Sequence, residues 1–246
     1  MTYNETNTHP RDGHVTFDPE THTYIAEGVP CDSVTTIVSG LFKEFDADFW
    51  ARRKAAAEGV DPQEIKDMWE RKAREARDMG TRLHDSIERY YLGHEPDDEA
   101  LADGGFRHFL NFARHNTLRP YRSEWRIYST RYRVAGTLDF LAREGDDLVI
   151  YDWKRSTKLV DRNGRPVTRN RYGATALHPL LRHIPDTSYY HYALQVSMYR
   201  YLLETEYGLR IADCRLGAFH PDNPCDYVLR MPYLRDEVIH ILSERQ

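Results

Sequence analysis

Cysteine is scarce in this sequence and shows no metal-binding spacing. The 246 residues include three cysteines, Cys31, Cys214 and Cys225, which lie far apart and form no CxxC pair. Disulfide frameworks and zinc ribbons depend on paired cysteines, so neither is indicated. Because a four-cysteine cluster cannot be assembled from one copy of the chain, we also expect no iron–sulfur cluster.

Long apolar runs are absent too. The chain is 40% hydrophobic and 30% charged, and no stretch approaches membrane-spanning length, so we expect a globular protein with no membrane partner. The first residues, MTYNETNTHPRDG, contain neither an apolar secretory core nor an Arg/Ser-rich amphipathic helix. A cytoplasmic location is therefore expected.

An excess of positive charge is also missing. The formal net charge is −5, which argues against nucleic-acid binding over the whole surface and leaves room for a local basic groove.

The N-terminal half, residues 1–120, predicts a hairpin followed by helices. HVTFDPETHTYIAEG alternates apolar and polar residues on either side of a turn at 18–21, which is typical of a hairpin. Ser33 can cap a helix over VTTIVSGLF, and a second helix should end at Gly59. Asp61-Pro62 marks the start of a longer helix that continues toward Gly93. We expect a loop at HEPDDEALADGG and a further helix at FRHFLNFARHN.

The C-terminal half, residues 121–246, is dominated by strands. EWRIYS, RVAGTLDFLARE and DLVIYDWKR predict an antiparallel meander, followed by a helix near 189–206, strands at CRLGAFH and DYVLRM, and a closing helix. This order predicts an α/β fold with a mixed sheet flanked by helices and an N-terminal helical extension. We interpret residues 1–246 as one functional unit with an αβ core at 121–246.

Two carboxylates and a lysine stand at the ends of neighbouring predicted strands. Asp139 lies near the end of one strand, while Asp152 and Lys154 share a face at the end of the next. Paired carboxylates repel each other unless a cation lies between them, and oxygen ligands suit Mg²⁺ or Mn²⁺. Lys154 could then orient or deprotonate water, or stabilise developing charge. Taken alone, such residues are more often ordinary solvated side chains.

Four sequence blocks make the pattern more specific. GTRLHDSIE, AGTLDF, VIYDWKRS and LQVSMY occur in the order seen in the PD-(D/E)XK nuclease superfamily. The chain most resembles the RecB-type exonuclease branch and the related phage, large-virus and mitochondrial genome-maintenance exonucleases. The resemblance implies a restriction-endonuclease-like fold. It also implies that His84, Asp139, Asp152 and the Trp153 carbonyl bind the metal, and that Lys154 is catalytic.

Two residue pairs at helical spacing fit the same resemblance. Glu88 lies four residues after His84, and as a catalytic-site residue it could orient His84, touch a second ion or complete a hydrogen-bond network; an ordinary surface pair is the alternative. Gln195 and Tyr199 could be a partly buried polar pair. The resemblance makes them the QxxxY motif, which helps to orient the DNA strand and the lysine.

The segment KRSTKLVDRNGRPVTRNRYG follows directly from the strand that carries Lys154. Its basic residues could neutralise phosphates, although such segments are usually solvated loops. The residues expected to contact nucleic acid here are Arg155, Ser156, Lys158, Arg169 and Arg171.

These features predict an Mg²⁺- or Mn²⁺-dependent deoxyribonuclease. We expect an exonuclease that acts on DNA with a free end in replication, recombination or repair. A helicase, recombinase or single-strand-binding protein is a possible partner. The alternatives are a structure- or flap-specific endonuclease with the same site, and a DNA-binding subunit that does not cleave.

An exonuclease needs a DNA end, which separates it from an endonuclease. With Mg²⁺ or Mn²⁺, linear DNA should be degraded, whereas covalently closed single- and double-stranded circles of the same sequence should persist. Gel electrophoresis of both forms measures the difference. Efficient cutting of closed circles would favour the endonuclease instead.

Overall fold

A computed structural model describes residues 1–245 of the chain. The helices are α1 (Tyr3–Thr6), α2 (Val34–Gly40), α3 (Ala47–Glu58), α4 (Pro62–Tyr91), α5 (Asp98–Ala102), α6 (Gly104–His115), α7 (Ser188–Glu206) and α8 (Arg235–Ser243). The strands are β1 (Val15–Asp18), β2 (Thr23–Ala26), β3 (Val29–Ser33), β4 (Arg119–Ser129), β5 (Val134–Glu144), β6 (Asp147–Lys154), β7 (Ile211–Ala218) and β8 (Tyr227–Arg230). Short 3₁₀ turns cover Asp12–His14 and Pro179–Leu181.

The strands form one mixed sheet in the order β1-β2-β3-β5-β6-β7-β8, with β4 paired to β5. β4, β5 and β6 are the antiparallel meander that the sequence predicts, while β3–β5 and β6–β7 are parallel pairs. The prediction of an α/β fold with a mixed sheet flanked by helices is thereby confirmed.

Helices cover the central sheet on both faces. The apolar core on one face joins α2, α7 and α8 to the strands, with Ile150, Leu194 and Leu202 among its fully buried members. On the other face, α6 and the second half of α4 pack an aromatic cluster against β5 and β6. This cluster is built around the indole of Trp153, which contacts Phe109 and Phe219.

The N-terminal helical extension has a small core of its own. The Asp61 side chain caps α4 by accepting a hydrogen bond from the backbone N–H of Gln63, as its position before a proline predicts. The start of α4 then packs on α3 through buried Ala51, Ala55 and Ile65. α4 continues as a single helix of 30 residues into the body of the protein.

Some details differ from the sequence-based expectation. The predicted hairpin gains a third strand, β3, because Glu27 and Gly28 both adopt positive φ angles of 51° and 79° and turn the chain back a second time. The expected acidic loop contains α5, whose first turn is capped by the side chain of Asp97. β4 begins at Arg119, ahead of the boundary expected near residue 123.

Gly136 is a position where a side chain has no room. A Cβ atom there would lie 2.7 Å from Cε1 of the buried Tyr199 ring, whereas a Cβ at Gly80 in α4 would meet nothing within 4 Å. We expect Gly136→Ala to lower the free energy of unfolding by about 1–3 kcal/mol through overpacking. As the matched control, Gly80→Ala should raise it by up to about 1 kcal/mol, because alanine favours the helix. Urea denaturation measures both; equal effects of the two substitutions would contradict the packing described here.

Candidate metal centre

The β4–β5–β6 registers place three carboxylates in one row across the sheet. Ser123 pairs with Phe140 and Trp125 with Leu138, so Glu124 stands opposite Asp139. The last β5–β6 pair is Phe140 with Tyr151, and the same register one step further sets Asp139 opposite Asp152. Directly opposed residues on neighbouring strands lie within side-chain reach of each other.

Backbone pairing of β5 with its neighbours β3 and β6 is interrupted at this row. β5 pairs with β3 only at Val134 and Ala135 and with β6 only from Phe140 onward, as far as residues 1–245 show. In the gap, the Asp139 side chain takes the place of a backbone partner, because its Oδ2 accepts a hydrogen bond of 2.8 Å from the Trp153 N–H. Asp139 is nearly buried, at 8% exposure.

His84 approaches the row from the second half of α4. Its Nε2 lies 2.8 Å from the Trp153 carbonyl oxygen, and since a carbonyl can only accept, Nε2 is the donor. In the neutral ring this leaves the lone pair on Nδ1, which lies 3.7 Å from Asp139 Oδ2 and 3.9 Å from Glu124 Oε1. Metal-binding histidines commonly donate their second N–H to a carbonyl in this way.

Asp152 and Lys154 form a buried ion pair beside Asp139. Lys154 Nζ lies 2.5 Å from Asp152 Oδ2 and 3.8 Å from Asp139 Oδ2. Burial, together with the charge of Asp139, raises the pKa of Asp152 to about 6, although Lys154 acts in the opposite direction. Burial opposes the ammonium charge of Lys154, but the two carboxylates outweigh it and raise the pKa of Lys154.

Gln195 and Tyr199 lie on the α7 side of this ion pair. Both side chains are buried, and Gln195 Nε2 donates to Asp152 Oδ1 at 3.2 Å and to the Tyr199 hydroxyl at 3.4 Å. Burial raises the pKa of Tyr199 well above its usual value, so its hydroxyl keeps its proton. The predicted pair therefore orients the Asp152 carboxylate and, through it, Lys154.

Glu124 is the residue of this centre that sequence reasoning missed. In EWRIYS it alternates with Trp125 and Ile127 as an ordinary outward-facing strand residue does. In the structure it has a left-handed φ of 44° and its carboxylate faces Asp139 and His84. Its side chain is 38% exposed, yet partial desolvation and then the charges of Asp139, Glu88 and Asp85 raise its pKa to about 8. Only the β4–β5 register, combined with an acid at this position, could have identified it.

The donor set fits a divalent cation. Ligand atoms of His84, Glu124 and Asp139 lie within 4.8 Å of one another, and the Asp139–Lys154–Asp152 contacts continue directly from them. Two or three carboxylates with one imidazole suit Mn²⁺ or Mg²⁺ when water fills the remaining positions.

Glu88 has a different environment from its predicted partner His84. Its Oε1 accepts a hydrogen bond of 3.0 Å from Ser123 Oγ, and this hydroxyl in turn accepts from the Tyr3 hydroxyl at 2.9 Å. The sequence left several roles open for Glu88. In the structure it belongs to a hydrogen-bond network that connects α4, β4 and α1.

The residues predicted to contact nucleic acid differ in their hydrogen bonds and their exposure. Arg155 donates to Asp103 at 3.0 Å, next to the start of α6, so one of its roles is to hold that helix. Ser156 accepts from the backbone N–H of Lys158 at 3.1 Å. Lys158, Arg169 and Arg171 have exposed side chains in the segment between β6 and α7.

Comparisons with known proteins give matches among solved structures alone. No protein-family model and no curated protein matches the chain. A solved structure with a weak likeness is the crystal structure of SSO0001, which is 14% identical, covers 87% of this chain and 74% of its own, and has a TM-score of 0.35. Within residues 1–245, no helix combines the length and the apolar character needed to cross a membrane.

Glu124 should make the metal-free protein less stable as the pH rises. Its pKa is about 8 in the folded protein and 4.5 in its ordinary state, so between these values the folded protein holds a proton that the unfolded chain has released. The contribution of this proton to the free energy of unfolding is therefore fully present below pH 4.5 and is lost by about pH 8. In chelator, Glu124→Gln should therefore be more stable than wild type at pH 8, with a smaller difference at pH 5.

Urea denaturation at both pH values measures this effect. Glu75→Gln, at an exposed position of α4, is the matched control and should leave the pH dependence unchanged. Identical pH dependence in wild type and Glu124→Gln would contradict the crowded carboxylate environment. Added Mn²⁺ should stabilise wild type more than Glu124→Gln, because the variant loses a ligand.

Proposed function

We propose that this protein is an Mg²⁺- or Mn²⁺-dependent nuclease that hydrolyses phosphodiester bonds. The observation that carries the proposal is the row of Glu124, Asp139 and Asp152 across three strands, with His84 and Lys154 beside it. Its order along the chain and its mixed sheet fit the PD-(D/E)XK nuclease resemblance and a restriction-endonuclease-like fold.

The cation in this proposal is held mainly by Asp139, with His84 Nδ1, Glu124 and Asp152 as the surrounding donors. A bound Mg²⁺ or Mn²⁺ supplies polarisation of a phosphoryl oxygen and a lower pKa for a bound water. The Trp153 carbonyl, which the resemblance implies as a backbone ligand, accepts from His84 Nε2 and so orients the imidazole. Because the two ring nitrogens point in nearly opposite directions, this carbonyl does not share an ion with His84 Nδ1 in the present arrangement.

Lys154 has the role of a cation near the scissile phosphate. Its pKa is raised by Asp152 and Asp139, which favours the ammonium form. An ammonium stabilises negative charge that develops on the phosphoryl oxygens or the leaving oxygen, and it cannot accept a proton from water. The face of the Tyr192 ring, 5.0 Å from Nζ, further favours the charged form.

The substrate in this proposal is DNA with a free end, and the activity is exonucleolytic. The exposed Lys158, Arg169 and Arg171 follow the strand that carries Lys154 and can neutralise phosphates. Replication, recombination or repair in the cytoplasm is the proposed setting, with a helicase, recombinase or single-strand-binding protein as partner. The complete acid–acid–lysine set favours cleavage over a DNA-binding subunit without activity.

Asp152→Ala should abolish metal-dependent cleavage. The substitution removes a carboxylate of the row and the partner of Lys154, so we expect a loss of about 10²–10³-fold or more. The measurement is degradation of end-labelled linear DNA with Mg²⁺, Mn²⁺ or chelator. Asp147→Ala is the matched control, since Asp147 lies at the far end of the same strand in an exposed pair with Arg210.

DNA binding separates loss of chemistry from loss of folding. Asp152→Ala should retain most of the wild-type affinity for DNA in chelator, measured by fluorescence anisotropy, because phosphate contacts dominate affinity. Full cleavage activity in Asp152→Ala, or the same loss in Asp147→Ala, would refute the proposed centre.

A further inference from the structure

A second group of metal-ligating side chains lies at the C-terminal end of α8, away from the carboxylate row. His240 and Glu244 are one helical turn apart and so share one face of the chain. His178, just before the 3₁₀ turn Pro179–Leu181, faces them from the segment between β6 and α7. Ligand atoms of these three residues lie within 4.8 Å of one another.

The contacts inside this group are close. His178 Nε2 lies 2.9 Å from Glu244 Oε1, and the His178 and His240 ring centroids are 5.6 Å apart. The Nε2 atom of His240 is buried and has no hydrogen-bond partner among the residues that the structure describes. A buried imidazole nitrogen without a partner costs free energy, and a metal ion would satisfy it.

We propose that His178, His240 and Glu244 bind a transition-metal ion of the Zn²⁺ class. Two imidazoles and one carboxylate form a His₂Glu set, which zinc accepts readily with a fourth position left for water. Imidazole ligands also favour Zn²⁺, Co²⁺ or Ni²⁺ over Mg²⁺, so this site and the carboxylate row select different metals. The negative end of the α8 dipole adds a favourable field for a cation.

Metal binding at this site replaces two hydrogen bonds of His178 by coordinate bonds from the three ligands. His178 Nδ1 accepts from the Leu180 N–H at 3.3 Å, so in the metal-free protein the proton of the neutral ring is on Nε2 and points to Glu244. When Nε2 binds the metal, this proton moves through solvent to Nδ1 and the long bond to Leu180 is lost. The hydrogen bond from His178 Nε2 to Glu244 Oε1 is lost at the same time, and His178, His240 and Glu244 each form a coordinate bond to the ion.

The consequence of this site is a cross-link between two elements. The ion joins α8, which packs on α7, to the segment that connects β6 with α7 and carries Lys158, Arg169 and Arg171. It therefore restrains that segment near its C-terminal end, where His178 lies, without taking part in chemistry at the carboxylate row.

The test measures how many Zn²⁺ ions bind to the His84→Ala variant and how tightly they bind. This variant is used because it lacks the imidazole of the carboxylate row. This chain should bind one Zn²⁺, measured by competition with a chromogenic chelator, and bound Co²⁺ should give a visible d–d absorption. A further His240→Ala should weaken binding by more than about 100-fold, because loss of an outer partner alone costs 10–100-fold. His183→Ala is the matched control, since His183 pairs with Glu237 nearby.

Thermal denaturation provides a second readout. At a hundredfold excess of free Zn²⁺ over Kd, the Tm should rise by about 5–10 °C, and the rise should vanish with His240→Ala but persist with His183→Ala. If His240→Ala does not fold by circular dichroism, Glu244→Gln at its exposed position replaces it. No Zn²⁺ bound in the His84→Ala background, or an equal loss with His183→Ala, would overturn the proposal.

Discussion

The hydrogen bond from the Trp153 N–H to the Asp139 carboxylate is the contact on which the carboxylate row depends. β6 stops pairing with β5 after Tyr151, and without this bond the Trp153 amide would be left unpaired in a buried position. By accepting this hydrogen bond, Asp139 fixes the orientation of its own carboxylate and of the Trp153 backbone. The carbonyl of Trp153 then accepts from His84 and so determines which imidazole nitrogen faces the acids.

The two faces of β6 supply the rigidity that this arrangement needs. Trp153 points into the aromatic cluster, where Phe140 and Phe219 pack around its indole. Asp152 and Lys154 point to the other face, against Gln195 and Tyr192 of α7. Asp139 accepts from the Trp153 N–H and Asp152 accepts from Gln195, so these two carboxylates stay beside each other despite their repulsion. Glu124 lies at the exposed end of the row. Desolvation, followed by the charge of Asp139, raises the pKa values of both Glu124 and Asp152.

Local signals in the sequence were sufficient for most of the fold and part of the centre. Asp61-Pro62 predicted the start of α4, and alternation at 133–154 predicted the strands that carry Asp139, Asp152 and Lys154. Glu124 escaped because its role depends on the β4–β5 register and on a left-handed backbone, which alternation does not reveal. The group of His178, His240 and Glu244 joins residues that are about 60 positions apart, and only the tertiary structure brings them together.

Location of Mn²⁺ by anomalous diffraction from crystals grown with the ion tests the central claim most directly. We expect an anomalous peak bonded to a carboxylate oxygen of Asp139, with His84 Nδ1 or the carboxylates of Glu124 and Asp152 among its other ligands, at the 2.0–2.3 Å distances usual for such ions. Fully occupied Mn²⁺ elsewhere, with the Asp139 carboxylate free of metal, would contradict it.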